Sequence, residues 1–162
     1  MNLRTLRGTR HPRLDRLLLA NASRARLFEH DTENGALREL ADFIHPGSRS
    51  KGQALDSDRP GRVARGLAST PLQPRTSLAE REREHFAQQL ARRLEEDARA
   101  QRMPGWRLVA SPAFLGRLLE TLGPVALGCL REHAARDLTR YSGAELERRV
   151  AAVLTPPVAP AD

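Results

Sequence analysis

Arg16-Leu17-Leu18-Leu19-Ala20-Asn21 is the stretch that decides the fold. Its four apolar residues form an unbroken row between polar neighbours, and a run that short reads as a buried strand. Downstream, Ala25–Glu29 predicts a second strand, with Ala25, Leu27 and Glu29 on one face and Arg26 and Phe28 on the other. Glu33-Asn34-Gly35-Ala36 carries Asn-Gly, a hairpin dipeptide because both residues accept positive φ. Leu37–Ile44 returns as a third strand, which makes an antiparallel meander.

Periodicity then stops. The stretch 46–76 holds Pro46, Pro60, Pro71 and Pro74 with Gly47, Gly52, Gly61 and Gly66. Loops beyond about 12–15 residues inside a domain are as a rule functional or disordered. Beyond it, Ser77-Leu78-Ala79-Glu80 has the form of a capping box and predicts a helix over 78–100. Phe86, Leu90 and Leu94 with Ala87, Ala91 and Ala98 form its apolar stripe, and Met103-Pro104-Gly105 stops it. Trp106–Ala110 reads as a fourth strand. Ser111 as N-cap and Pro112 at the first helical position open another helix, which Gly123-Pro124 ends. Val125–Leu138 is ambiguous in period; a short helix followed by a strand near Leu130–Ala134 accommodates it. Ser142-Gly143-Ala144-Glu145 is a second capping box, opening a last helix to about Leu154. Strands and helices interleave, so the expected class is α/β, a mixed and partly antiparallel sheet flanked by helices.

The chain of 162 residues is near the usual size of one domain. The expected organisation is a basic, disordered arm over 1–16, a single domain over 17–154 containing the long loop, and a Pro/Ala-rich tail over 155–162. No stretch approaches the roughly 20 apolar residues of a membrane span. Ala20-Asn21-Ala22 has the small-x-small form of a signal-peptide cleavage site, but Asp15 and Arg16 precede an apolar run of only four residues, too short for a signal sequence. A cytoplasmic location is therefore expected.

The formal net charge is +7, and 26 of the 27 basic residues are arginine, a bias that a GC-rich genome produces. The excess is localised. Residues 1–16 carry +4 and residues 45–76 carry +4, whereas 17–44 carry −2 and 77–162 carry +1. Localised charge of this kind points to an interaction segment. In the central loop Arg49, Lys51, Arg59, Arg62 and Arg65 stand beside glycines that allow close backbone approach, which suits contacts to phosphate. No Phe, Tyr or Trp lies between Ile44 and His85, which disfavours sequence-specific reading of single-stranded RNA by that loop; no DNA specificity is predicted.

Other chemistry has no carrier. A lone cysteine, Cys129, has apolar neighbours and reads as a small hydrophobe. His11, His30, His45, His85 and His133 are scattered without metal-ligand spacing. Asp56 and Asp58 lack a third ligand and suit turn chemistry or pairing with Arg59 and Arg62. There is no nucleophile elbow or phosphate-binding glycine loop. No metal or cofactor is expected.

Several stretches carry a resemblance. They are Leu18–Glu29, Phe43-Ile44-His45-Pro46, Ser57-Asp58-Arg59-Pro60-Gly61-Arg62, Glu84-His85-Phe86-Ala87, Leu108–Gly116 and Arg136-Asp137-Leu138-Thr139. Together, in this order, they resemble the bacterial host-attachment protein family over about residues 17–150. Ser57, Asp58, Pro60 and Gly61, and Ser111 and Pro112, are its structural motif positions. The name implies adhesion or surface interaction as one reading. The element order is also similar to the middle domain of archaeo-eukaryotic peptide-chain release factors, whose loop after the third strand carries Gly-Gly-Gln at the peptidyl-tRNA ester. Here Lys51-Gly52-Gln53 stands in that loop. That resemblance implies a ribosome-, rRNA- or tRNA-associated module with Gly52 and Gln53 at the motif positions, and the charge of the loop independently adds Arg49, Lys51, Arg59 and Arg62 as phosphate contacts. It also raises ester hydrolysis at Gln53 as a third reading. Lys51 does not reach the backbone angles of the glycine it replaces, which argues against that chemistry.

Overall fold

The computed structural model describes residues 14–48 and 75–154. Leu17, Leu18, Leu19 and Ala20 lie in β1 (Leu14–Ala20), the middle strand of a five-stranded sheet, and none is more than 1% exposed. A central strand covered on both faces is apolar at every position, which is why the run is continuous. With β2 (Arg24–Asp31), β3 (Leu37–Ile44), β4 (Trp106–Ala110) and β5 (Leu130–Ala135), the strand order is β3-β2-β1-β4-β5. β1 pairs antiparallel with β2 and parallel with β4, and β4 pairs parallel with β5, so the sheet is mixed as expected.

β1 begins two residues before the expected strand and takes Leu14–Arg16 from the presumed arm. Ion pairs make that extension tolerable. Asp15 is buried against Arg131 at 3.1 Å and Arg107 at 3.6 Å, and Arg16 pairs with Glu29 at 3.0 Å. The β2–β3 hairpin is present, but its turn differs from the two-residue form. Asp31 N–H donates to Ala36 O and Gly35 N–H donates to Asp31 O, closing a four-residue loop. Only Gly35 takes positive φ, +78°. Asn34 contributes its side chain instead, accepting from Ala36 N–H at 2.8 Å. Leu40 is an extra residue in β3, a bulge, since Leu27 opposes Ala41 and Phe28 opposes Glu39.

Among the described residues four α-helices flank the sheet: α1 (Arg75–Arg99), α2 (Pro112–Thr121), α3 (Pro124–Cys129) and α4 (Gly143–Val153). α1 starts before Ser77, so the expected cap position falls inside its first turn. Ser111 and Ser142 stand at the expected N-cap positions, but neither side chain caps. Glu145, the expected partner in the second capping box, pairs with Arg149 at 2.9 Å. α1, α2 and α3 cover one sheet face. Phe86, Leu90, Leu94, Phe114 and Leu118 pack there on Leu18, Leu27, Trp106 and Leu108. Cys129 is half-buried against this layer. Among the described helices α4 covers the other face, with Leu146, Val150 and the following Leu154 on Leu17, Leu19, Phe28 and Val109. Among the described residues no helix is long and apolar enough to cross a membrane.

Candidate functional site

β1, β3, β4 and β5 run in one direction, so Ala20, Ile44, Ala110 and Ala135 end on one edge of the sheet. The chain leaves β1 towards β2 and leaves β4 towards β5. The connections after β1 and β4 therefore diverge at the carboxyl ends of the parallel strands, the usual ligand position in open α/β sheets.

Five of the sequence stretches singled out above converge on this edge. Asn21, just past β1, is the hub of the first contact. Its Oδ1 accepts from Ser23 N–H and Arg24 N–H, both at 2.9 Å. Its Nδ2 donates to Asp137 Oδ2 at 2.9 Å and to Thr139 Oγ1 at 3.0 Å. Asp137 Oδ1 in turn accepts from Thr139 Oγ1 at 2.7 Å and Thr139 N–H at 3.1 Å. Burial pushes the Asp137 carboxyl up, but the bonds from Thr139 and Asn21, with the Arg140 charge, outweigh it and hold the group below the usual carboxylate range. Beside this junction the buried Arg26 donates to the carbonyls of Thr139 and Tyr141 and pairs with Glu39 at 2.7 Å. Ser111 N–H donates to Ala20 O, and Arg136 N–H to Ala110 O, which ties the three parallel strand ends together.

A second contact clamps the roots of the basic segment. His45 follows β3, and its N–H donates to Ser23 O. Its buried ring meets the Glu82 carboxylate at 2.7 Å through Nε2 and packs on Phe86 at 5.1 Å. Phe86 in turn stacks on Phe114 at 5.8 Å. Pro46–Ser48 form a 3-10 turn directly after His45, and α1 begins two turns before Glu82. The His45–Glu82 contact thus joins the end of β3 to the second turn of α1 at the carboxyl edge.

Arg49, Lys51, Gly52, Gln53, Ser57, Asp58, Arg59, Pro60, Gly61 and Arg62 lie outside the described residues. Ser111 and Pro112 are on the edge, Pro112 as the first residue of α2. The described residues hold 18 Arg against 17 Asp and Glu, close to neutrality, so nearly all of the +7 lies elsewhere. Among the described residues no cluster of three His, Cys, Asp or Glu side chains could hold a metal ion.

Stretches from five parts of the chain thus meet at one place. The family described as "protein required for attachment to host cells" matches residues 17–150. The chain belongs to this family. No curated protein matches it significantly. In this host-attachment protein the family region begins inside β1 and ends inside α4, so it spans the whole sheet and the edge contacts just described. Sequence reasoning had the individual stretches but missed the Asn21–Asp137–Thr139 junction and the His45–Glu82 clamp. Asp-x-Thr is a readable local turn signal, since Asx side chains bond backbone two residues on. Its partner, 116 residues away, carries no sequence signal.

Proposed function

We propose that this member of the host-attachment family is a non-catalytic module that contacts RNA phosphate, ribosomal or transfer, through the basic loop 46–66. The partition of charge carries the reading. Five cations stand against two Asp in that segment, beside a domain of near-zero charge. The clamp of His45 on Glu82 supports it, because both roots of the segment sit on the edge where α/β sheets bind ligands. Contacts of this type position a protein on RNA without reading its sequence.

Sedimentation of a cell lysate at low and high salt tests the reading. Co-migration with ribosomes at low salt, lost at high salt, is the expected result. The R59E/R62E double variant should then stay at the top of the gradient at both salts, and wild-type protein staying there at low salt would refute the proposal.

The family description favours a second reading, a role in attachment at the cell surface. Protease shaving of intact cells separates the two: loss of the protein to added protease places it outside, and full protection places it inside.

A further inference from the structure

Next to the Asn21–Asp137 junction lies an open groove of about 490 Å3. Small-ligand sites span about 300–1,000 Å3, so a single nucleotide fits its size class. Leu138, Ala152 and Val153 give it apolar walls, and Arg136 and Arg149 bring two guanidiniums. Its one carboxylate, Asp137, is turned to other work, with both oxygens already accepting from Asn21 and Thr139.

The arginines differ in how they are held. Arg149 is fixed twice. Its Nε and Nη2 donate to Glu145 at 3.1 and 2.9 Å, and its guanidinium carbon lies 3.9 Å from the centre of the Tyr141 ring. Arg140 clasps the same ring, donating to Tyr141 Oη at 2.8 Å. Arg136 is exposed and makes no ion pair among the described residues. One cation is thus pre-ordered over an aromatic ring, and the other is available for a phosphate.

We infer that this groove is a second RNA contact, specific for single strands: Arg136 takes a backbone phosphate, and the Arg149–Tyr141 stack carries one unstacked base against Ala152 and Val153. The chemistry fits both halves. A guanidinium held over a ring presents a planar cationic surface, and unpaired bases stack on such surfaces. A base within a duplex has both faces covered and cannot enter. The groove supplies a ring-backed guanidinium, which the segment 49–65, with no aromatic residue, lacks. This inference rests on the RNA reading above, and its test separates the two.

Full-length protein is titrated into a labelled, unstructured oligouridylate and into an RNA duplex of matched length, by fluorescence anisotropy across a salt series. Arg149→Lys keeps the charge and loses the planar stack. It should weaken oligouridylate binding about tenfold and leave duplex binding unchanged. Arg136→Gln should lower the salt slope for the oligouridylate by about 0.7, one phosphate's worth. The R59E/R62E variant should weaken both RNAs. Wild-type affinity of Arg149→Lys and Arg136→Gln for oligouridylate, with both RNAs still lost in R59E/R62E, overturns the groove and leaves the segment reading standing. Wild-type protein that binds neither RNA overturns both. Displacement of the oligouridylate by polyglutamate as readily as by unlabelled RNA overturns the base-stacking claim in favour of an acidic peptide. Arg149 lies on the exposed side of α4, so melting curves of the variants should match wild type.

Discussion

His30 is a titratable side chain in an unfavourable place. It is 7% exposed, its Nδ1 has no hydrogen-bond partner among the described residues, and it stands opposite Asp15 in the β1–β2 register. Burial first, and the nearby Arg107 charge second, push its pKa below the ordinary 6.5, against the weaker pull of Asp15 and Asp31. The folded chain therefore binds this proton less tightly than the unfolded chain. Its contribution is fully present above pH 6.5 and is lost as pH falls through the lowered value. We expect Tm to decline between pH 7 and pH 5 in wild type, and the decline to flatten in His30→Gln; parallel curves would show that His30 does not govern it. Asn21 is the second residue-scale case. It makes four hydrogen bonds, two inside the β1–β2 turn and two to the chain beyond β5. Asn21→Ala should cost about 2 kcal/mol, since bonds of this kind contribute about 0.5–1.5 kcal/mol each and some donors regain water. Asn21→Asp, which keeps the acceptor but sets a second carboxylate against Asp137, should cost more. Urea unfolding of the pair reads the order directly.

Among the elements, α3 has six residues and is too short to hold itself together. What fixes it comes from α1. Glu95 accepts from Ala126 N–H at 2.8 Å and Val125 N–H at 3.3 Å, while Trp106 Nε1–H donates to Ala126 O at 2.7 Å. The bond from Ala126 first, then that from Val125 and the nearby Arg99, hold the Glu95 carboxyl below its usual range despite burial. Gly123 allows this, because a Cβ there would strike the Glu95 carboxylate. Gly123→Ala and Glu95→Ala should each lower Tm, and the double variant should lose less than the two together, because each change breaks the same contact. Full additivity would show that the glycine serves only the backbone. The caps show where element reading stops. Strands β3 and β4 and the apolar stripe of α1 were legible, because apolar period encodes them directly. The starts of α2 and α4 were legible too, at Ser111 and Ser142, but the start of α1 and the capping bonds themselves were not. A Ser three residues before a Glu is necessary for a capping box but does not say where the Glu turns, and Glu145 turns to Arg149. The candidate edge was legible as separate stretches and not as a place, because its contacts join residues 37 to 118 positions apart.

At the scale of the molecule, the sheet is covered unequally. α1, α2 and α3 share one face and interlock through Phe86 on Phe114 and Glu95 on α3. The other face depends on α4, eleven residues anchored by Leu146, Val150 and Leu154. Elements with few partners open with less free energy than the core they cover. The same helix carries Arg149 in the groove, and the buried Arg26 holds the approach to it at Thr139 and Tyr141. α4 should thus be the first part of the described domain to open, taking the groove with it while α1 remains packed. Leu146→Ala, removing a side chain 2% exposed, should cost about 3 kcal/mol. Leu90→Ala in α1, 3% exposed, should cost a similar amount. Native-state hydrogen exchange discriminates between them. In Leu146→Ala the amides of α4 should lose protection ahead of those in α1 and β1, and the bared Leu17, Leu19, Phe28 and Val109 should bind a hydrophobic dye. In Leu90→Ala all protected amides should fall together towards the global value. Equal opening free energies for α1 and α4 in wild type would mean that the two layers unfold as one unit, and the groove could not open on its own.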